Sequence, residues 1–420
     1  MEKNYMMKGY QLHLIPTTKF KNITISLKLQ NKLDLKTVTK RTLLSFMLVT
    51  GTQKYPSTQE FSKFLENLYG MKYGTSVTSK GKSHIINMNS ICINQEYLPY
   101  QEDLLTQQIQ MLNDVLNHPN AMNHLFNEQM FEIKKRELKE RLIVQKDDKF
   151  SYSLEKLFEY MGKDQPLGIS TSGYLEELDA ITNEELFAYF KQCLMEDHKH
   201  LYVVGDIDDS IVSLFEQYLT LPEQNHTYDT SYHYQVYRND IQEIIEEQDI
   251  TQSKLNIGYQ IDSEFMSHNH YATTVFNALF GGFSQSKLFK VVREQHSLCY
   301  YISSSYDAFN GIVIVNAGIE RKDYQKTREL IDEQLKLIQQ GKFSDEELDI
   351  IKGMLKNALT RSKDESLSMI SLLYNRDITG KEETDDEYLS KLMAVTKEEI
   401  MAIAGTMKLD TIFLLTGRSE

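Results

Sequence analysis

The chain has 420 residues and a formal net charge of −14, from 46 Lys and Arg against 60 Asp and Glu. This acidity excludes a nucleic-acid backbone as a major partner, because such binders cluster Lys and Arg. An apolar fraction of 41% with 25% charged residues excludes a disordered chain. At roughly 150 residues per domain, the length allows two or three domains. Cys92, Cys193 and Cys299 are too scattered for a disulfide framework and fit a reducing cytoplasm. The N-terminal stretch Met1–Phe20 has no apolar core of signal-peptide length. No stretch approaches the ~18 continuous apolar residues of a membrane span. A soluble, cytoplasmic protein is therefore expected.

In chain order, the first clear element is a strand over Asn22–Leu29. Its apolar residues alternate strictly, which predicts one buried face and Thr24, Ser26 and Lys28 facing outward. A helix is expected over Arg41–Val49, closed by Gly51. A second helix follows Pro56, where Ser57 and Glu60 have capping-box spacing. Phe61, Phe64, Leu65 and Leu68 fall on one face of that helix, and Gly70 ends it. Strands are expected around Tyr73–Thr78 and His84–Ile93, then a helix over Leu104–Leu116.

The second half repeats this order. The alternating strand Lys254–Ile261 answers the first, and the apolar helix Ala272–Phe280 ends in Gly281-Gly282 as Arg41–Val49 ends near Gly51. Phe126–Lys135 answers Phe343–Lys352, Thr182–Leu186 answers Thr396–Ile400 with a second pair of capping boxes, and Tyr202–Gly205 answers Phe413–Gly417. Matching Gly51 to Gly281, Phe126 to Phe343 and Thr182 to Thr396 gives offsets of 230, 217 and 214 residues, so the order is kept. The expected fold is α+β in two homologous halves, Met1–Leu221 and Pro222–Glu420, each a mostly antiparallel sheet packed with helices. Pro222–Arg238, polar and rich in Tyr and His, reads as the linker. The acidic stretches Glu243–Asp249 and Glu382–Glu387 read as solvated surface or interaction tails.

No self-contained active site is visible. His198-Lys199-His200 would place two rings on one face of a strand but lacks an obvious third ligand, and His268-Asn269-His270 lies in a polar segment expected to be a loop. His124 and Glu128 have no second histidine beside the acid. The zinc motifs H-E-x-x-H and H-x-x-E-H, the G-x-S-x-G elbow, the P-loop and C-x-x-C are all absent. Gly281-Gly282-Phe283-Ser284 does not fit a dinucleotide fingerprint.

Three stretches nevertheless resemble the pitrilysin/insulinase/mitochondrial processing peptidase family of inverzincin zinc peptidases. Arg41–Thr52 is similar to the helix that carries the family's zinc motif, and Tyr55–Gly70 to the helix after it. Phe280–Tyr300 is similar to the second-half signature of glycines, small residues, Leu-Phe, an Arg-Glu pair, and a tyrosine seven residues past the arginine. The resemblance spans essentially the whole chain and implies a two-half processing-peptidase fold.

Counting back from Gly51-Thr52, the family's first histidine falls on Thr42, its glutamate on Ser45 and its second histidine on Phe46. Catalytic zinc needs three protein ligands and a water activated by a general base, which these residues cannot supply. Glu132, Glu137 and Glu140 are candidates by position for the family's third ligand, and an Asn-Ala of the substrate strand is replaced near Gly74-Thr75. Arg293 and Tyr300 keep the spacing of the pair that, in relatives, holds substrate and the tetrahedral oxyanion. A guanidinium and a phenol O–H are donors suited to that charge. The alternative for them is a pairing of Arg293 with an acid such as Glu294, with Tyr300 packed; Cys299 reads as a buried apolar residue.

The resemblance thus implies a non-catalytic subunit, with no metal in this chain and zinc in a homologous partner. The two would bind and process peptides, with Arg293 and Tyr300 reaching the shared chamber. The alternatives are a homodimer, or a peptide-binding or structural scaffold subunit without peptidase activity.

Overall fold

The computed structural model describes residues 2–100, 102–224 and 240–418. The expected linker lies, from residue 225 to Arg238, outside the described residues. The chain forms two units. One comprises Met1–Val144, Ser170–Thr230 and Lys363–Tyr374, and the other Gln145–Ile169, Ser231–Ser362 and Asn375–Glu420. Relative to a division at Leu221/Pro222, the segments Gln145–Ile169 and Lys363–Tyr374 each belong to the unit of the opposite half.

The strands of the first unit are β1 (Lys3–Met7), β2 (Tyr10–Pro16), β3 (Asn22–Lys32), β4 (Lys72–Lys80), β5 (Ser83–Ile93), the short hairpin β6 (Ala121–Met122) and β7 (Leu125–Phe126), and β8 (His198–Gly205). The main sheet has the order β1-β2-β8-β3-β5-β4. Only β2 and β8 pair in parallel; β3 runs antiparallel to β5 from Asn22↔Ile93 to Lys32↔Ser83. Ile23, Ile25, Leu27 and Leu29 of β3 enter a core built with α1 (Val38–Met47), α2 (Thr58–Asn67), α3 (Leu104–Asn117) and the helix Asn183–Glu196. Each such leucine contributes roughly 1.5–3 kcal/mol by leaving water. The capping boxes at Ser57/Glu60 and Thr182/Glu185 form as expected.

The other face of β3 differs from its sequence reading. Thr24, Ser26 and Lys28 are buried, because Lys363–Tyr374 packs over them. Thr24 Oγ1 lies 2.7 Å from Ser366 Oγ, and the Lys28 ammonium sits 4.9 Å above the Tyr374 ring. Ser26 donates to Asn89 and Lys28 to Asn87, each at 2.7 Å. Burial without a carboxylate pushes Lys28 down to about 8. Period-two alternation identifies two faces; it does not say that the polar one meets water.

The second unit contains β9 (Gln242–Gln248), β10 (Ser253–Gln260), β11 (Cys299–Asp307), β12 (Ile312–Ile319) and β13 (Lys408–Gly417), in the order β11-β12-β10-β13-β9. Again one outer pair is parallel, β13 with β9, and the rest antiparallel. Read as β2-β8-β3-β5-β4 against β9-β13-β10-β12-β11, the two sheets have the same topology, which confirms two similar α+β halves. Leu255, Ile257, Val313, Val315, Ile412 and Leu414 pack on the helices of the unit. The opposite face carries Ile312, Ile314, Phe413 and Leu415, covered by Leu157 and Met161 of a helix at Lys149–Met161. Gly258 gives this side chain room, since a Cβ would lie 2.6 Å from Met161 Sδ and push it aside.

Two segments read as surface or loop are ordered elements. Glu243–Gln248 forms most of β9, where Glu243 accepts from Arg328 and Tyr324 at 2.7 Å each. Thr384 within Glu382–Glu387 caps the helix Asp385–Ala394. Among the described residues, no helix is long and apolar enough to cross a membrane.

Candidate functional site

Helix α1 places Thr42, Ser45 and Phe46 in the first unit, and each is engaged locally. Thr42 Oγ1 lies 3.0 Å from the Val38 carbonyl and 3.2 Å from that of Thr171; Ser45 Oγ donates to the Thr42 carbonyl at 2.7 Å. Thr75 of β4 donates to the Ser45 carbonyl at 2.5 Å. Phe46 is half-buried with the Arg141 guanidinium 5.6 Å from its ring centroid. Two hydroxyls committed to backbone carbonyls and an aromatic ring under a cation do not fit a zinc ion, which takes imidazole, thiolate or carboxylate donors. Among the described residues, no cluster of three His, Cys, Asp or Glu ligand atoms forms around them. Glu132, Glu137 and Glu140 are exposed on the helix Glu128–Asp147, and Glu137 pairs with Lys134 at 2.8 Å.

The residue before the degenerate motif has a different role. Arg41 is fully buried, 2.5 Å from Asp197 Oδ2 and from the Leu29 carbonyl, and 3.4 Å from Cys193 Sγ. Asp197 also accepts from Asn31 at 2.6 Å. This network ties α1 to β3 and to the end of the helix Asn183–Glu196. His84 is buried beside it. Burial, reinforced by Arg41, pushes His84 down to about 3, so it is neutral. Neither feature was legible from motif spacing.

The histidine pairs do not form metal sites in the way their spacing suggests. His200 on β8 lies 3.3 Å from His13 across the sheet, and burial holds it down to about 3. His268 and His270 lie on a helix (His268–Asn277) and not in a loop, so two residues apart their side chains diverge. His270 is buried 3.2 Å from the Tyr388 hydroxyl, and burial pushes it down to about 4. His124 packs edge-on against Phe187, while Glu128 accepts from Asn183 at 2.7 Å.

In the second unit, the glycine signature builds a platform. The helix His268–Asn277 continues as a π-helical turn at Ala278–Gly282, and a second π-helix spans Phe289–Gln295. Such turns are rare and frequent at functional sites. A Cβ on Gly281 would lie 2.7 Å from the Ser304 nitrogen, so the glycine lets this turn touch β11. Ser304 Oγ donates to Asn277 Oδ1 at 2.8 Å and fixes the contact.

Arg293 projects from the second π-helix. It is exposed, its guanidinium 4.7 Å from the Phe289 ring centroid, and it makes no ion pair among the described residues, with Glu294 or any other acid. Four residues later, Ser297 takes φ +52°, and its N–H donates to the Arg293 carbonyl at 3.2 Å. This short turn delivers the chain to the edge strand β11. There Cys299 pairs with Ile319 and Tyr301 with Gly318, so Tyr300 is the extra residue of a β-bulge and is 63% exposed. Cys299 is buried, and burial lifts its thiol to about 11 despite nearby Arg293. The alternative of an Arg293–Glu294 pair with a packed Tyr300 is therefore not what forms. Tyr301 and the bulge were missed; the signal was Cys299-Tyr300-Tyr301-Ile302, where the apolar alternation changes phase.

Comparison with known proteins settles the family. A family described as "Peptidase M16 inactive domain" matches residues 180–355. "Probable inactive metalloprotease YmfF" of Bacillus subtilis is 33% identical over 417 residues, covering 97% of this chain and 96% of that protein. The chain belongs to the peptidase M16 family. A conserved protein from Enterococcus faecalis V583 superposes with a TM-score of 0.92 at 33% identity, over 100% of this chain and 99% of that one. At 14% identity, a structure described as a peptidase M16 inactive domain from Pseudomonas fluorescens shares the fold, with a TM-score of 0.82 over 100% of this chain and 98% of its own. The resemblance read from Arg41–Thr52, Tyr55–Gly70 and Phe280–Tyr300 is borne out. This is an inactive M16 homologue, and it is the resemblance that sets Thr42, Ser45 and Phe46 at the zinc-motif positions.

Proposed function

We propose that this chain is the non-catalytic subunit of a two-chain M16 peptidase. It pairs with a homologous subunit that keeps H-x-x-E-H and zinc, and it contributes Arg293 and Tyr300 to the peptide in the shared chamber. One observation carries this reading. The zinc-motif residues are committed to internal contacts, while Arg293 and Tyr300 stand exposed, Arg293 against only the Phe289 ring of its own helix and in no ion pair among the described residues. A surface arginine stacked on its own helix and a tyrosine set outward by a bulge are available to a ligand, and both are hydrogen-bond donors for a carbonyl or an oxyanion. The acidity of the chain favours basic peptides.

Affinity capture from the native host tests the pairing. A zinc-motif homologue of similar length is the expected partner, and the reconstituted pair should cleave fluorescein-casein where the isolated chain does not. Capture without any such homologue favours a scaffold role, and one zinc per isolated chain by metal analysis contradicts the reading.

A further inference from the structure

The bulge that exposes Tyr300 is set by its neighbours. On β12, Val313, Val315, Ala317 and Ile319 face the helical core, while Ile312 and Ile314 face the helix Lys149–Met161. On β11, Cys299 and Ile302 both belong to the helical core, although an odd and an even position cannot share one face of a regular strand. The parity changes at Tyr300, and Tyr301 is what fixes the change. It lies opposite Gly318, and its ring covers that glycine so closely that a Cβ there would be 2.4 Å from Cε1 and 2.8 Å from Cδ1. The ring is closed in by Phe150, edge-on with centroids 5.7 Å apart, and by the Lys254 ammonium 5.6 Å from its centroid. Burial pushes its phenol up to about 12. An aromatic ring laid over a cross-strand glycine pins register in sheets, and bulges at edges re-aim a side chain beside functional sites.

We infer that Tyr301 and Gly318 are positioning residues for Tyr300: the ring of Tyr301 docked on Gly318 locks the bulge and so turns Tyr300 outward. This deepens, and rests on, the reading of Tyr300 as a peptide-holding residue. With Tyr301 anchored toward one layer and Cys299 toward the other, Tyr300 has neither face to enter. Gly318 shows no left-handed backbone, so the ring contact alone demands glycine there. Gly318→Ala therefore perturbs the clasp and little else.

The test is nitration of the full chain by tetranitromethane, mapped by peptide mass, with Tyr100 (72% exposed) as internal reference for Tyr300 (63% exposed). In the parent protein, Tyr300 should nitrate at a rate like that of Tyr100, and Tyr301 should be protected. Gly318→Ala overpacks the site and should shift the local equilibrium by roughly fivefold or more, so that Tyr301 gains reactivity by about that factor while Tyr300 loses reactivity by a smaller one. Tyr301→Ala removes the clasp without overpacking and should also slow Tyr300; Tyr301→Phe keeps the ring and should not. Tyr300 reactivity unchanged in Tyr301→Ala, or in a folded Gly318→Ala, overturns the inference. Fluorescein-casein binding by fluorescence anisotropy separates this from the parent reading. If Tyr300→Phe and Tyr300→Ala bind as the parent does while nitration shifts as stated, the clasp stands and the peptide-holding role fails.

Discussion

Asp197→Ala should destabilise the first unit far more than any surface ion-pair deletion. Arg41 and Asp197 are both fully buried and 2.5 Å apart, and removing the carboxylate leaves a buried guanidinium without its counter-charge, held by the neutral Leu29 carbonyl. It also strips Asn31 Nδ2 of its acceptor. Breaking a buried pair from one side costs about 3–5 kcal/mol, far more than the loss of a typical solvent-exposed pair. For a unit of about 200 residues, such a loss lowers Tm by an amount on the order of 10 °C. Replacing both partners, as Arg41→Met with Asp197→Leu, should recover most of it, because no charge is then left buried. Arg41 Nε has no hydrogen-bond partner among the described residues, so the pair is not fully satisfied even in the parent chain. Urea titration of the single and double variants gives the numbers. An Asp197→Ala cost below about 1 kcal/mol would refute the view that this pair anchors α1.

Two further outcomes are expected. The variant Thr42→His/Ser45→Glu/Phe46→His should not gain stoichiometric zinc by metal analysis, because the Arg141 guanidinium stands against position 46; one tightly bound zinc would contradict this. Stability should also fall on acidification. Burial, together with Arg41, holds His84 at about 3, and burial holds His200 at about 3 and His270 at about 4. All three are neutral in the fold but bind protons below pH ~6.5 once unfolded, so the unfolded state gains protons first. Stability is therefore fully present above that value and declines as pH falls from ~6.5 to about 4 for His270 and about 3 for His84 and His200, with each histidine contributing up to ~1.4 kcal/mol per pH unit. His84→Asn should flatten the urea-midpoint profile by about one histidine's share; an unchanged slope would be inconsistent with a buried neutral His84.

Much of this architecture was legible in the residues. Capping boxes at Ser57, Thr182 and Thr396 fixed helix starts, because the side chain and backbone partners are local. The repeat predicted a common topology, since the same order of apolar periods folds the same way. What escaped depends on non-local packing. Alternation in Asn22–Leu29 could not say that Lys363–Tyr374 would cover its polar face. Glu243–Gln248 looked like solvated charge, yet its backbone pairs with β13 while its carboxylates find Arg328 and Tyr324. At the candidate site, the family resemblance brought out Arg293 and Tyr300, but their exposure follows from a π-helix and a bulge, both departures from the periods that sequence reading assumes.

The most direct test of a non-catalytic, peptide-holding role is kcat of the reconstituted pair on fluorescein-casein with Arg293→Ala or Tyr300→Phe in this chain. Loss of donors that hold the oxyanion predicts a fall of roughly tenfold or more in each variant, with the zinc content of the partner unchanged. Full activity in both variants, at parental affinity between the subunits, would contradict it.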